Sequence, residues 1–287
     1  MRGIVALLLV LLVVVACSEP TTTVSPPPPP ATSPTSTVAT VPPTTVATDP
    51  VRACPEGDVM LADGQLLRFD RPTSDGTRIT GVSWRTSGNC QLVSVSFATA
   101  DGAPATTPPT VTARLLRAAG VLRIETAATE AVVVDQLVEE GQVERLFVPA
   151  DQEGFRFVDL VLNGPTVARA RVQTSPARLE VELEPGGPAE IGSPLITPQL
   201  VIVEPGSAAA MEPVLDVSGY STGELEGLQI AVLDQGETVA ESPLDLETSP
   251  FLWRAFDFVL PMGDSAYDNL RLLDESGSVI AGIPFSP

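Results

Sequence analysis

Three thiols, an excess of carboxylates and no imidazole set the chemistry open to this chain. Its cysteines are Cys17, Cys54 and Cys90, and it carries 36 Asp and Glu against 16 basic residues, all of them Arg, with no His. Without His, neither a Ser-His-Asp nor a Cys-His relay can be assembled, and the commonest zinc ligand is missing. No G-x-S-x-G elbow, phosphate-binding loop or dinucleotide fingerprint occurs. Acid–base work is left to paired carboxylates such as Glu139-Glu140 and Asp274-Glu275. Both pairs lie close to glycines, where a solvated turn is the ordinary explanation and glycosidase-type chemistry the alternative. The expectation is that the chain is not an enzyme, with no catalytic residue, metal ligand or cofactor; a carboxylate-only hydrolase is the enzymatic alternative.

The net charge of −20 argues against nucleic acid and anionic headgroups as partners, because phosphates would be repelled. The charge is uneven: residues 189–287 hold 16 acidic side chains against Arg254 and Arg271, a net of −14. No calcium loop of the D-x-[DN]-x-[DN]-G kind is present, so a solvated acidic surface is expected there. Aromatic residues are sparse, at 5 %. The densest patch is Phe251-Leu252-Trp253-Arg254, with Tyr220 and Tyr267 in predicted turns. Trp253 is read first as the large aromatic of a sandwich core, and the alternative makes Trp253, Tyr220 and Tyr267 a candidate ligand platform. Trp84 is expected in the core.

These residues are positioned by four segments. Residues 1–16 carry one charge, Arg2, followed by an apolar run from Ile4. That run is shorter than the roughly 20 residues needed to span a bilayer, and it reads as a signal peptide. It closes on Val14-Val15-Ala16-Cys17, which resembles the lipobox of bacterial lipoproteins. The resemblance implies cleavage after Ala16, attachment of diacylglyceryl and fatty acyl (palmitate) lipid at Cys17, and anchorage on the extracytoplasmic face of the cell membrane. In an exported chain the remaining pair, Cys54 and Cys90, is expected to oxidise to a disulfide, a loop closure contributing about 4 kcal/mol in the chain-entropy model. Residues 17–50 are Pro, Thr, Ser and Val with five consecutive prolines, Pro26 to Pro30. Such a composition cannot offset its ordering entropy, so a disordered linker is expected, reaching on the order of 100 Å if fully extended.

From residue 51 the pattern becomes that of short strands. Residues 59–61 and 65–69, around Asp63-Gly64, read as a hairpin. Residues 78–85 alternate with Val82 and Trp84 on one face, and residues 91–98 place Val93, Val95 and Phe97 inward. Residues 101–109 read as a loop and 110–117 as strand or helical turn. Further strands are expected at 121–126, 131–134 (a helical turn being the alternative there) and 143–148, and a pair at 155–162 and 167–172 joined by Asn163-Gly164-Pro165. Residues 178–184 alternate strictly and are expected half-buried. Pro185-Gly186-Gly187-Pro188 marks a boundary, and about seven strands follow up to residue 285. The fold class is all-β: two small β-sandwich domains, at 51–188 and 189–287, after the leader and the linker.

Residues 121–184, with Arg156-Phe157-Val158-Asp159-Leu160 and the closing Ser175-Pro176-Ala177-Arg178-Leu179-Glu180-Val181, loosely resemble the AMIN and AMIN-like domains of bacterial envelope proteins. That family implies a small β-sandwich that localises proteins to the cell wall. The second domain, through Val203-Glu204-Pro205-Gly206, Val217-Ser218-Gly219, residues 228–234 and Phe256-Asp257-Phe258, resembles the Ig-like domain of bacterial spore-germination and related envelope lipoproteins. It implies a non-catalytic binding or assembly module. The expectation is a non-enzymatic envelope lipoprotein, tied to the membrane through lipid on Cys17, that binds peptidoglycan or an envelope protein and has a possible link to spore germination. The alternative is a structural docking subunit of a membrane or secreted complex.

Overall fold

A computed structural model of the chain describes residues 59–61, 67–70, 73–133, 135–138, 141–151, 153–186, 191–209, 212–223, 227–244, 252–262 and 266–285. The leader, the linker with Cys17, Cys54, and the Glu139-Glu140 pair lie outside the described residues. The fold is all-β, with a single 3₁₀ turn at Arg117–Ala119 among the described residues.

The first sandwich contains β1 (Val59–Leu61), β2 (Leu67–Phe69), β3 (Arg78–Ser87), β4 (Cys90–Ala98), β5 (Val111–Leu116), β6 (Val121–Thr126), β7 (Glu130–Ala131), β8 (Asp135–Leu137), β9 (Val143–Phe147), β10 (Arg156–Leu162), β11 (Thr166–Gln173) and β12 (Arg178–Pro185). One sheet runs β1-β11-β12-β4-β3-β7 and the other β2-β5-β6-β10-β9-β8. Between them lies a core in which Val93, Val95 and Phe97 of β4 and Leu179, Val181 and Leu183 of β12 face Leu122 and Ile124 of β6 and Val158 and Leu160 of β10.

Two expected hairpins are instead crossings between sheets. β1 pairs with β11 and β2 with β5, so these two strands lie in different layers. Likewise β10 pairs with β6 and β9, whereas β11 pairs with β12. Glycine-rich turns permit tight reversals, but the pairing partner is chosen by which layer buries each strand's apolar face. In β3 the register shifts between Ile79 and Gly81. This bulge rotates the strand, so that Ile79 and Val82, three apart, are both buried while Trp84 packs half-buried at the core margin. The 110–117 segment is both things expected of it: β5, followed by the 3₁₀ turn. β12 alternates, but its acidic face is enclosed too. Arg171 lies 2.6 Å from Glu180 and 3.4 Å from Glu182, and Arg169 lies 3.3 Å from Glu184.

The loop after β4 is clamped by Asp75. Its carboxylate accepts the Thr106 amide at 2.9 Å, the Thr107 amide at 2.7 Å and the Thr106 hydroxyl at 2.9 Å. The Thr106 and Thr107 amides hold its pKa below the ordinary 3.8. A carboxylate with a depressed folded pKa stabilises the fold above its unfolded pKa, and this contribution is lost as pH falls through the folded value. Amide exchange at Thr106 and Thr107 is therefore expected to be faster in Asp75→Asn than in the wild type at pH 5. The two should converge well below 3.8. Equal protection at pH 5 would remove the clamp.

The second sandwich contains β13 (Leu195–Ile196), β14 (Leu200–Glu204), β15 (Val214–Ser221), β16 (Gln229–Asp234), β17 (Glu237–Pro243), β18 (Arg254–Pro261), β19 (Asn269–Leu273) and β20 (Val279–Pro284). Its sheets are β13-β14-β15-β18 and β17-β16-β19-β20, all pairings antiparallel. The β16–β17 turn holds Gln235 and Gly236 at φ 51° and 91°, the positive values that a two-residue hairpin requires. Ile202, Leu215, Val217, Ile230, Leu270 and Leu272 form the heart of this core.

The sandwiches form one body, since residues Asp49–Pro287 make a single compact unit. Ala150 bridges antiparallel to Arg156 and parallel to Arg254, so the β10 sheet continues through Ala150 into the β18 sheet. Nearby, the Gly192 amide donates to the Arg117 carbonyl at 3.0 Å and the Ala208 amide to the Ala118 carbonyl at 3.2 Å. A Cβ on Gly192 would stand 1.6 Å from the Ala118 carbonyl oxygen, and one on Gly206 2.0 Å from it. Only glycine allows the two backbones to approach this closely.

Candidate functional site

β10 is buried on both faces, and each face serves a different core. Val158, Leu160 and Leu162 enter the first sandwich, while Phe157 and Val161 face the opposite way. With Val121 and Phe147 they meet Val203, Tyr220 and Trp253 of the second sandwich in a third buried cluster. Its aromatic rings pack edge to face: Phe147 and Trp253 centroids are 5.2 Å apart at 79°, and Tyr220 and Trp253 are 5.7 Å apart at 88°.

The expected ligand platform is therefore not a surface. Trp253 is 4 % exposed, Tyr220 0 % and Tyr267 1 %. Trp253 and Tyr220 belong to the joint, whereas Tyr267 sits in the second core against Phe285 and its hydroxyl accepts the Glu212 amide at 2.7 Å. In this architecture large rings are used where apolar surface must be covered, and the outer faces of two sheets meeting at a joint supply that need. Cys90 opens β4, buried, and is disulfide-bonded.

Beside the aromatic joint lies a buried ion pair. Arg123 Nε donates to Asp159 Oδ1 at 2.9 Å and Nη2 to Oδ2 at 2.7 Å, a bidentate fork. The two residues are directly paired across β6 and β10. The Arg123 guanidinium also lies 4.4 Å from the centre of the Phe157 ring. Burial pushes the Asp159 carboxyl above the ordinary carboxylate range against the pull of Arg123. Burial, with the Asp159 charge adding to it, raises the Tyr220 phenol well above its usual value, so Tyr220 stays protonated near neutrality. Neither Arg123 nor Asp159 was singled out as a site from the sequence. The legible signal was a lone charge in each of two apolar strands, Val121-Leu122-Arg123-Ile124 and Phe157-Val158-Asp159-Leu160.

Alongside this pair is an open cleft of about 390 Å³, lined by Thr110, Thr112, Glu125, Phe155, Arg156 and Phe157 among others. Phe155, one of its lining residues, is exposed. Its carboxylates are engaged: Glu125 lies 3.1 Å from Arg114 and accepts from the Thr112 hydroxyl at 3.0 Å, and Asp151 accepts from the Phe155 amide at 2.8 Å. The lining thus combines aromatic rings, hydroxyls and guanidinium groups, which suits binding of a polar molecule with an apolar face. Asp274 caps its own turn, accepting from the Ser276 and Ser278 amides at 2.8 and 2.9 Å. The Ser276 hydroxyl first, then the Ser278 amide, hold its pKa below the ordinary value, away from the range of a general acid. Among the described residues no group of three or more His, Cys, Asp or Glu is arranged to hold a metal ion, and no helix is long and apolar enough to cross a membrane.

Comparison with protein-family models, curated proteins and solved structures returned no match to this chain.

Proposed function

We propose that this chain is a non-enzymatic cell-envelope lipoprotein, held at the extracytoplasmic membrane surface by lipid on Cys17 and presenting a rigid pair of β-sandwiches to peptidoglycan. The observation that carries the binding assignment is the cleft beside β5, β6 and β10, whose volume of about 390 Å³ and exposed Phe155 ring suit the apolar face of a sugar. The lipobox-like Val14-Val15-Ala16-Cys17 and the Pro/Thr-rich residues 17–50 support the tether. A tether confines the body near the wall and raises its effective concentration there. Cys54 is the partner we assign to Cys90. The AMIN-like reading of the first sandwich rests on its sequence motifs. For the second, the support for an Ig-like assignment is its pair of four-stranded antiparallel sheets, β13-β14-β15-β18 opposing β17-β16-β19-β20.

Two measurements test this. The wild type is expected to take up labelled palmitate and fractionate with membranes, and Cys17→Ser to lose the label; a labelled, correctly processed Cys17→Ser chain would sink the anchor. The wild type is also expected to be retained by purified cell wall, with Phe155→Ala retained several-fold less. No retention at low and moderate salt would remove the glycan reading.

A second reading, docking onto a protein complex by strand addition, is favoured by β20. It is an edge strand without a charged residue, and Val279 and Ile280 are exposed. Under that reading a protein crosslinks to β20 and wall digestion leaves the contact intact.

A further inference from the structure

We infer that Arg156 and Arg254 form an anion-binding site at the seam of the two sandwiches, taking the oxyanion of a phosphoryl or carboxylate group. The seam is built by register. Thr126 pairs with Arg156 across β6 and β10, Arg156 with Ala150, Ala150 with Arg254, and Arg254 with Ser221 across β18 and β15. Residues directly opposite one another in neighbouring strands project from the same face, so these side chains form one row across the continuous sheet. Arg156 and Arg254 flank the small, buried Ala150, about 10 Å apart at two strand spacings. Two guanidinium side chains can close on a single oxyanion across that span.

Most arginines of the first sandwich are neutralised by a carboxylate, but these two have no ion-pair partner within 4.0 Å among the described residues. Both are half-buried, and Arg156 Nε is a buried donor with no acceptor. Arg254 is one of only two cations in residues 189–287, yet it stands beside another cation in a chain of net charge −20. The neighbouring carboxylates are committed elsewhere: Glu130 lies 2.7 Å from Arg78, and Asp151 accepts the Phe155 amide. Opposite Arg254, the Ser221 hydroxyl is 1 % exposed and has no hydrogen-bond partner, a further polar group on the same row. Burial, and then the charge of Arg254, lower the Arg156 pKa, consistent with two like charges held together. An oxyanion relieves that repulsion and satisfies the orphaned donor.

Arg156 also lines the cleft of the proposed wall site, but the inference does not require wall binding or lipidation, because its probes are soluble. The full chain is titrated calorimetrically with inorganic phosphate and, separately, with acetate at matched ionic strength, and its melting temperature is followed in each. Saturable binding of either, with a rise in melting temperature, is expected. Preference for phosphate assigns a phosphoryl ligand and preference for acetate a carboxylate. Arg156→Gln and Arg254→Gln should each weaken binding about tenfold or more, the loss of one charge-assisted fork. Arg254→Lys, which keeps the charge, should lose less. Arg85→Gln, at an exposed arginine on β3, should bind as the wild type does. A response reproduced by chloride, or one unchanged in Arg156→Gln and Arg254→Gln, overturns the site.

Discussion

Asp159→Ala is expected to destabilise the protein by about 3–5 kcal/mol, the range for removing one partner of a buried ion pair. Asp159 is 0 % exposed, and its two oxygens hold Arg123 at 2.9 and 2.7 Å. Without the Asp159 carboxylate, Arg123 keeps its charge between two packed sandwiches, with only Glu204, beyond ion-pair distance, to offset it. The cost is thus mainly an uncompensated buried cation. The control is Arg123→Met/Asp159→Leu, which removes both charges and keeps apolar volume. It should lie much nearer the wild type, because replacing a whole buried pair with hydrophobic residues is often neutral. Denaturant unfolding of the two variants distinguishes them. Equal destabilisation in both would mean that packing, rather than charge, governs this position.

Trp253→Ala is expected to cost about 3–5 kcal/mol, the usual range for deleting a large buried aromatic. The indole contacts Phe147 and Tyr220 at centroid distances of 5.2 and 5.7 Å. Its own backbone carbonyl accepts the Ala150 amide at 2.9 Å, so the side chain fills the space directly behind the strand-to-strand seam. The cavity would open between the sandwiches, and unfolding should become less cooperative, with the two halves beginning to melt apart. Calorimetry reads both effects. A ligand platform would behave in the opposite way, losing binding at unchanged stability, and that result would return Trp253 to the surface.

Much of the fold was legible because it depends on local periodicity. Val93, Val95 and Phe97 alternate inward, and the structure buries all three. Leu179, Val181 and Leu183 do the same. Where periodicity failed, a long-range choice had intervened. The β3 bulge shifts the alternation after Ile79, and no local property of Thr80-Gly81 demands it. The sequences at residues 62–64 and 163–165 read as hairpin turns, but the flanking strands find partners in opposite layers.

The candidate site was less legible than the fold, for a physical reason. Tyr220 and Tyr267 read as turn residues, and Trp253 as a core aromatic with an exposed ligand patch as the alternative; all three are buried, by elements distant in the chain. The partners of Trp253 are Phe147 and Tyr220. No window around Trp253 contains them. The charges inside β6 and β10 were visible as anomalies, yet only cross-strand register places Arg123 opposite Asp159.

What the amino-acid sequence determined alone is what composition and nearest neighbours control. It specifies an all-β chain of short strands with no imidazole for acid–base or zinc chemistry. It also places the apolar run that ends at Val14-Val15-Ala16-Cys17 ahead of a proline-rich stretch. The tertiary structure decided everything that depends on which strand lies beside which: a third buried cluster at the joint, the glycine-lined close approach at Ala118, and the row that brings Arg156 alongside Arg254. Those juxtapositions unite residues far apart in the chain, Val121 and Trp253 among them. Their energies come from burial and charge pairing across sheets, for which the local chain contains no signal.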